Sequence, residues 1–268
     1  MTSESVKDRG SLVIVGTGIQ WSSQMSAAAR KCISSADRVL YALVDETAAN
    51  FIRGLNPNAA SLPYPLDRSL RRDTYRSMAD AICAPVRAGE RVCAVFYGHP
   101  GVLATAAHLA LRELRRDGYP ARMLPAISAF DCLLADLSID PGQAGCQIYE
   151  ATDFLKHARI HDPRVPLVLM QVGAICNPGF FNPLQEEVSS TGLDVLVTRL
   201  EQQYPARLEV VLYEASADPA EESAILRLPL RELRNADVSD LSTLYVPPIE
   251  TAIAGVTAAG RASISSAL

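Results

Sequence analysis

Basic clusters and long apolar runs are both scarce in this sequence of 268 residues. No stretch of Lys and Arg is long enough to follow a phosphate backbone, and the net charge is −5, so a dedicated nucleic-acid-binding protein is excluded. No apolar run approaches the length that spans a bilayer. Residues 1–10 also lack the apolar segment of a signal peptide. We therefore expect a cytoplasmic protein with no membrane partner.

Paired metal ligands are also missing. The six cysteines are scattered, and no two have the CxxC spacing of a zinc or redox motif. Of the four histidines, only His157 and His161 stand four residues apart, and no third ligand lies at a useful spacing. We predict neither a disulfide framework nor a metal site.

The composition is that of a globular enzyme. Hydrophobic residues make up 49% of the chain and charged residues 21%, a balance that disordered chains do not show. The length allows one large domain or two small domains that share a cleft.

The first half of the chain alternates short apolar runs with helical periods, which predicts an α/β fold with a mostly parallel sheet. Strands are predicted at 11–15, 38–44, 91–96 and 121–124, and helices at 22–36, 71–88 and 103–116. Beyond residue 125 we predict a helix at 129–137, strands at 147–150, 167–172, 208–213, 224–228 and 243–246, and a long helix near 184–203. Strands outnumber helices there, so we predict an N-terminal α/β domain over 1–124, a C-terminal α/β domain over 125–250 and a short tail over 251–268.

Two glycine motifs follow predicted strands. Gly16-Thr17-Gly18 is half of a dinucleotide fingerprint, but Trp21 stands where the third glycine belongs. Asp45 follows the second strand at a distance that keeps NAD binding open, beside the simpler interpretation of a turn that admits a close backbone approach. The 97–101 segment, YGHPG, predicts a rigid loop poor in side chains at the carboxyl end of a strand, where open α/β sheets bind ligands.

Ser128 and the pair of Arg71 and Tyr75 each have both a structural and a functional interpretation. Ser128 precedes a predicted helix, where it can be an N-cap and also donate to a bound carboxylate. Arg71 and Tyr75 stand four residues apart on one face of a predicted helix. Without further information, a solvated charged face with one core tyrosine is the simpler interpretation of that pair.

At these motifs the chain resembles the tetrapyrrole methylases, the class III S-adenosylmethionine (SAM) methyltransferases, and within them the borosin peptide-backbone α-N-methyltransferases. The YGHPG loop and the SAFDC stretch are the most specific matches. Where general tetrapyrrole methylases usually have Gly-Asp-Pro, this chain has Gly98-His99-Pro100. The matching segments are 10–19, 71–75, 95–102, 118–125, 128–137, 139–141, 149–155, 171–173 and 243–248.

The resemblance implies a two-domain tetrapyrrole-methylase-like fold, usually a homodimer, with SAM in the interdomain cleft and S-adenosylhomocysteine as product. It implies that Gly16 and Gly18 face the substrate. The cofactor-binding positions that it implies are Tyr97, Gly98, His99, Val102, Leu103, Ser128, Ala129, Gln171, Tyr213, Ala215 and the backbone of Thr243 and Leu244.

The reaction that the resemblance implies gives Arg71 and Tyr75 a functional interpretation. A peptide nitrogen is a poor nucleophile because its lone pair is delocalised into the carbonyl group. The enzyme must stabilise charge on that carbonyl oxygen and remove the N–H proton. The resemblance assigns these tasks to Arg71 and Tyr75, with Tyr97 as a second wall. Relatives have a tyrosine-rich run before the arginine, whereas here Tyr64 stands alone between prolines and is the remaining catalytic candidate.

We thus expect a methyltransferase that acts on a separate ribosomal precursor peptide in trans, in a complex of up to two enzymes and two precursors. The trans arrangement is expected because the family pattern ends near Pro248, although self-methylation of the tail over 251–268 stays open. A small-molecule methyltransferase of the same fold and a catalytically weak peptide-binding relative are the alternatives.

Overall fold

The computed structural model describes residues 9–63, 71–175 and 190–249, which form two five-stranded sheets with flanking helices. The strands are β1 (Ser11–Gly16), β2 (Arg38–Ala42), β3 (Ala59–Ser61), β4 (Arg91–Phe96), β5 (Ala121–Met123), β6 (Gln147–Glu150), β7 (Leu167–Met170), β8 (Glu209–Glu214), β9 (Ala224–Pro229) and β10 (Thr243–Val246). The helices are α1 (Trp21–Gln24), α2 (Ala27–Ser35), α3 (Glu46–Leu55), α4 (Arg71–Arg87), α5 (Thr105–Arg116), α6 (Ala129–Asp136), α7 (Pro141–Ala144), α8 (Ala151–Lys156) and α9 (Ser190–Glu201).

The first sheet has the order β3-β2-β4-β1-β5, and all its strand pairs are parallel, which confirms the predicted sheet. Side chains alternate across β4, so that Val92 and Ala94 pack with α4 and α5 while Cys93 and Val95 pack with α2 and α3. Both faces are therefore covered, which is why β4 is a continuous apolar run.

The second sheet has the order β6-β7-β10-β8-β9. Only β6 and β7 are parallel, and the other pairs are antiparallel. Leu169 and Leu244 pack towards α9, whereas Val168 and Tyr213 pack towards α6. Helix α6 follows the first sheet along the chain and covers one face of the second, and residue 125 falls between the two sheets. The domain limits themselves stay a prediction.

Three local predictions differ from the structure. The predicted helix at 22–36 is two helices, because the Ser26 side chain accepts the Ala29 N–H at 3.1 Å and starts α2 anew. Helix α3 and strand β3 were not predicted. Asp45, the residue that kept NAD binding open, caps α3 by accepting the Ala48 N–H at 2.7 Å.

Several predictions lie outside the described residues. Only the part of the long helix from Ser190 to Glu201 is described, and the tail over 251–268 and Tyr64 are not. Within the described ranges, none of the helices combines the length and apolar character needed to cross a bilayer.

Candidate functional site

A cavity of about 230 Å³ lies between the carboxyl ends of the strands of the first sheet and the ends of β7 and β10 in the second. Ten of the residues predicted to bind cofactor or to act in catalysis line it: Tyr75, Tyr97, Gly98, His99, Val102, Leu103, Ser128, Ala129, Gln171 and Thr243. Its other lining residues are Ile19, Ala42, Met78, Phe96, Ala104, Thr105, Ala106, Met170, Asp240 and Leu241. The described lining contains no Lys or Arg.

The two glycine loops interlock beside this cavity. Gly18 and Gly98 exchange backbone hydrogen bonds of 3.3 and 3.1 Å, each with a positive φ, of 73° and 64°. A Cβ atom on Gly16 would lie 2.1 Å from the Gly98 carbonyl oxygen and 2.7 Å from Pro100 Cδ. Gly16 and Gly18 do not line the cavity themselves. They allow the loop after β4 to take its place against β1.

The His99 ring helps to fold its own loop. Its Nδ1 accepts the Gly101 N–H at 2.9 Å, so that Nδ1 carries no proton and Nε2 carries the proton of the neutral ring. The Gly101 carbonyl oxygen lies 2.9 Å from His108 Nε2 on α5. Leu103 has a φ of 54°, a strained value for a branched side chain, and is partly exposed at the cavity. The loop is thus preorganised, with backbone groups rather than long side chains at the site.

Helix α6 begins at the cavity with a complete capping box. Ser128 Oγ accepts the Asp131 N–H at 3.4 Å, and the Asp131 carboxylate accepts the Ser128 N–H at 2.7 Å. The Ser128 hydroxyl donates to the same carboxylate at 2.6 Å. Because Ser128 and Ala129 also line the cavity, the cap directs the positive end of the helix dipole towards it.

Two of the predicted catalytic tyrosines, Tyr75 and Tyr97, are both half-buried. Tyr75 is half-buried on α4, where it packs against the core and also lines the cavity, so both earlier interpretations describe part of its setting. Arg71 begins α4, and its side chain is not described. Burial, with smaller contributions from the nearby Cys132, Glu214 and Asp45, raises the pKa of Tyr97 to about 12. Tyr97 is therefore a hydrogen-bond donor at neutral pH and a poor base.

Three predicted cofactor positions do not line the cavity. Tyr213 is fully buried and donates its hydroxyl hydrogen to Asp136 at 2.8 Å. Ala215 packs in the same cluster against α6. The Leu244 side chain points to the opposite face of β10 from Thr243, into the core beside α9. The prediction for Leu244 concerned its backbone, and the direction of its side chain does not test that prediction.

Some cavity residues were not predicted. Met78 lies one helical turn beyond Tyr75 on the same face of α4, and Ile19 directly follows Gly18, so the sequence held a signal for both. Asp240 and Leu241 belong to an irregular segment before β10 and carried no such signal.

The described ranges contain no cluster of three His, Cys, Asp or Glu residues able to hold a metal ion. The spaced histidines do not converge. His157 is exposed and lies 3.5 Å from Asp153, whereas His161 is buried between Phe154 and Tyr204.

The sequence profile described as tetrapyrrole (corrin/porphyrin) methylases matches residues 11–234. The chain is 39% identical, over 92% of its own length and 60% of the other, to a methyltransferase and cyclic peptide precursor of dendrothelin A from Dendrothele bispora. It is 41% identical, over 89% of its length and 62% of the other, to a methyltransferase and type I borosin cyclic peptide precursor from Coprinopsis marcescibilis. The chain thus spans about 60% of the length of these relatives.

A solved uroporphyrin-III C-methyltransferase from Thermus thermophilus, in complex with S-adenosylhomocysteine, has the same fold. Its TM-score is 0.59 at 18% identity, over 89% of this chain and 92% of the other.

The different surroundings of Gly16 and Gly54 predict opposite effects of an alanine substitution at these two positions. Gly16→Ala should lower the free energy of unfolding by about 3 kcal/mol, because the added methyl group meets fixed backbone. Gly54→Ala, at an exposed position of helix α3 with nothing within 4 Å of the new Cβ, should raise it by about 0.5 kcal/mol. Chemical denaturation measures both, and equal effects of the two substitutions would contradict the described packing.

The half-buried Tyr97, with its raised pKa, predicts a late tyrosine transition. In the folded protein its proton should stay bound until the pH approaches 12, whereas the unfolded chain releases it near 10. The stability that the neutral ring contributes is thus present below pH 10 and is lost as the pH rises to 12. Ultraviolet difference titration of the wild type against Tyr97→Phe isolates this group, and a midpoint near 10 would contradict its burial.

Proposed function

Because the chain belongs to the tetrapyrrole methylase family, we propose that it is a SAM-dependent methyltransferase that methylates backbone amide nitrogens of a peptide. The convergence of Tyr75, Tyr97 and the glycine loops on one cavity between the sheets carries this proposal. The names of the relatives at 39 and 41% identity, which combine a methyltransferase with a cyclic peptide precursor, support the peptide as acceptor.

The cavity suits SAM in shape and polarity. Gly98 leaves open the space that a side chain would occupy, since its nearest neighbours to an added Cβ are 3.5 Å or more away. The capped start of α6 offers the positive end of a helix dipole, which favours a carboxylate. We propose that the loop from Tyr97 to Leu103, Ser128, Ala129, Gln171 and Thr243 hold the cofactor. When bound, SAM supplies a methyl group already activated by its sulfonium charge.

The chain's own residues then have three tasks. The two sheets hold the acceptor nitrogen in line with the methyl donor, which is an orientation effect. We assign the stabilisation of charge on the amide oxygen to Arg71, because a guanidinium stays charged at every relevant pH. Tyr97, which remains protonated, donates a hydrogen bond and does not accept the N–H proton. We assign the removal of that proton to Tyr75, which would accept it as the phenolate, the form that a neighbouring guanidinium such as that of Arg71 favours.

The side chains that line the cavity also indicate which class of molecule accepts the methyl group. Tetrapyrroles carry several carboxylates, which basic side chains would recognise, and none of the described cavity residues is Lys or Arg. Val102, Leu103 and Leu241 are partly exposed at the cavity and offer apolar contacts instead. These observations favour an apolar peptide over a tetrapyrrole.

We further propose that the peptide is supplied as a separate chain and that the enzyme acts as a homodimer. The trans arrangement is tested by adding the peptide to the purified enzyme, with the enzyme chain itself analysed for self-methylation. Size-exclusion chromatography with light scattering tests the dimer. A cytoplasmic location stays a prediction.

Co-expression with a peptide that carries a Val-, Ile-, Gly- and Ala-rich segment, followed by tandem mass spectrometry, tests the proposed reaction. We expect added methyl groups on backbone nitrogens. Tyr75→Phe should lower the rate about 10² to 10⁴-fold, because it removes the proton acceptor, and should leave S-adenosylhomocysteine binding intact. Tyr119→Phe is the matched control, since Tyr119 lies beneath Arg9 and does not line the cavity.

Full activity of Tyr75→Phe would refute the assigned mechanism. Unmodified peptide that co-purifies with the wild type would indicate a peptide-binding relative, and methylation of a tetrapyrrole instead of the peptide would indicate a small-molecule enzyme.

A further inference from the structure

The turn from Ser239 to Ser242 forms a wall of the cavity. Its two central residues, Asp240 and Leu241, line the cavity. Thr243, which directly follows the turn, lines it as well. Leu241 is 37% exposed, so its side chain does not anchor the turn, although Val238 and Leu244 on either side of it are buried in the core. Between these two residues the wall is positioned by polar contacts.

Glu214, the last residue of β8, supplies these contacts. One of its carboxylate oxygens, Oε2, accepts the Ser239 hydroxyl at 2.5 Å and the Ser242 hydroxyl at 3.3 Å. The carboxylate thus ties both ends of the turn to the second sheet. Hydrogen bonds to a charged acceptor are stronger than those between neutral groups.

The two serines also fold the turn itself. Ser239 Oγ accepts the Leu241 N–H at 3.1 Å, and Ser242 Oγ accepts the Ser239 N–H at 2.9 Å. Each serine hydroxyl therefore donates to Glu214 and accepts from the backbone of the turn. Loss of the carboxylate removes the common acceptor that orients both hydroxyls.

The same turn is coupled to Gln171, which directly follows β7. The Val172 N–H donates to the Ser242 carbonyl oxygen at 3.1 Å. A Cβ atom on Gly173 would lie 2.3 Å from the Ser239 carbonyl oxygen, so the two segments touch backbone to backbone. Gln171 has a φ of 58° and lines the cavity beside this contact. The turn and the strained Gln171 form one unit.

We propose that Glu214 is a positioning residue that fixes the turn from Ser239 to Ser242, together with Gln171, as the C-terminal wall of the cofactor site. It acts through the two serines and does not line the cavity. This inference rests on the proposed function, since it assigns the cavity to SAM. Its consequence is that Glu214 controls cofactor affinity.

Calorimetric titration with S-adenosylhomocysteine tests the inference. Glu214→Ala should weaken binding about tenfold or more, because the wall loses the acceptor that orients it. Glu214→Gln keeps a carbonyl oxygen for the serine hydroxyls and should stay within about threefold of the wild type. Glu209→Ala is the control on the same strand, since Glu209 is exposed and its carboxylate lies 3.6 Å from Arg227.

The double variant Ser239→Ala/Ser242→Ala should match Glu214→Ala, and adding it to Glu214→Ala should weaken binding no further, because both remove the same contacts. In the methylation assay Glu214→Ala should raise KM for SAM and leave kcat within about threefold, since burial, the largest cause of the raised pKa of Tyr97, is unchanged and keeps that residue protonated. Thermal unfolding of each variant separates lost binding from lost folding, and the glutamine and double-serine variants test the same contacts should Glu214→Ala fail to fold.

Three results are decisive in different ways. Wild-type affinity in Glu214→Ala would overturn the inference and leave the proposed function standing. Equal weakening in the alanine and glutamine variants would overturn positioning in favour of the charge alone. A wild-type protein that does not bind S-adenosylhomocysteine would overturn the proposed function itself.

Discussion

The contact between the loops after β1 and β4 is the constraint on which the site depends. Gly18 and Gly98 exchange two backbone hydrogen bonds, and Gly16 has no side chain because the Gly98 carbonyl oxygen occupies that space. The neighbouring parallel strands β1 and β4 are thereby joined beyond the point where their regular pairing ends. The cavity forms beside this junction, so its N-terminal wall consists of backbone that cannot shift without breaking the junction.

The second sheet completes the cavity through contacts of a different kind. The first wall is held by the close approach of glycines, whereas the second is held by side-chain hydrogen bonds. Gln20 Nε2 donates to the Ser216 carbonyl oxygen at 3.4 Å and links the glycine loop to the segment after β8. Glu214, two residues earlier, anchors the turn that carries Asp240 and Leu241. A ligand between the sheets thus contacts two different walls. Close backbone packing positions one of them, and side-chain hydrogen bonds position the other.

Periodicity in the sequence predicted four of the five strands of the first sheet and all five strands of the second. Alternating apolar runs and helical periods report burial directly, which is why β1, β4, α4 and α5 lie where they were expected. Helix α3 was not predicted, although Asp45, the residue that kept NAD binding open, caps it. An aspartate before a helix has the same appearance in sequence whether it binds a ribose or the backbone.

The site was predictable only in part. Motifs predicted the loop from Tyr97 to Leu103, because its glycines and proline have few structural alternatives. Tyr213, Asp240 and Leu241 depend on which face of the sheet, or which side of a turn, each residue occupies. Those placements follow from long-range packing, and no local pattern reports them.

The most direct measurement is a crystal structure of the protein grown with S-adenosylhomocysteine. The account predicts that the ligand lies between the sheets, in contact with the loop from Tyr97 to Leu103 on one side and with Gln171 and Thr243 on the other. A ligand bound elsewhere, or a loop at Gly98 that has moved away from Gly18 to admit it, would contradict the account.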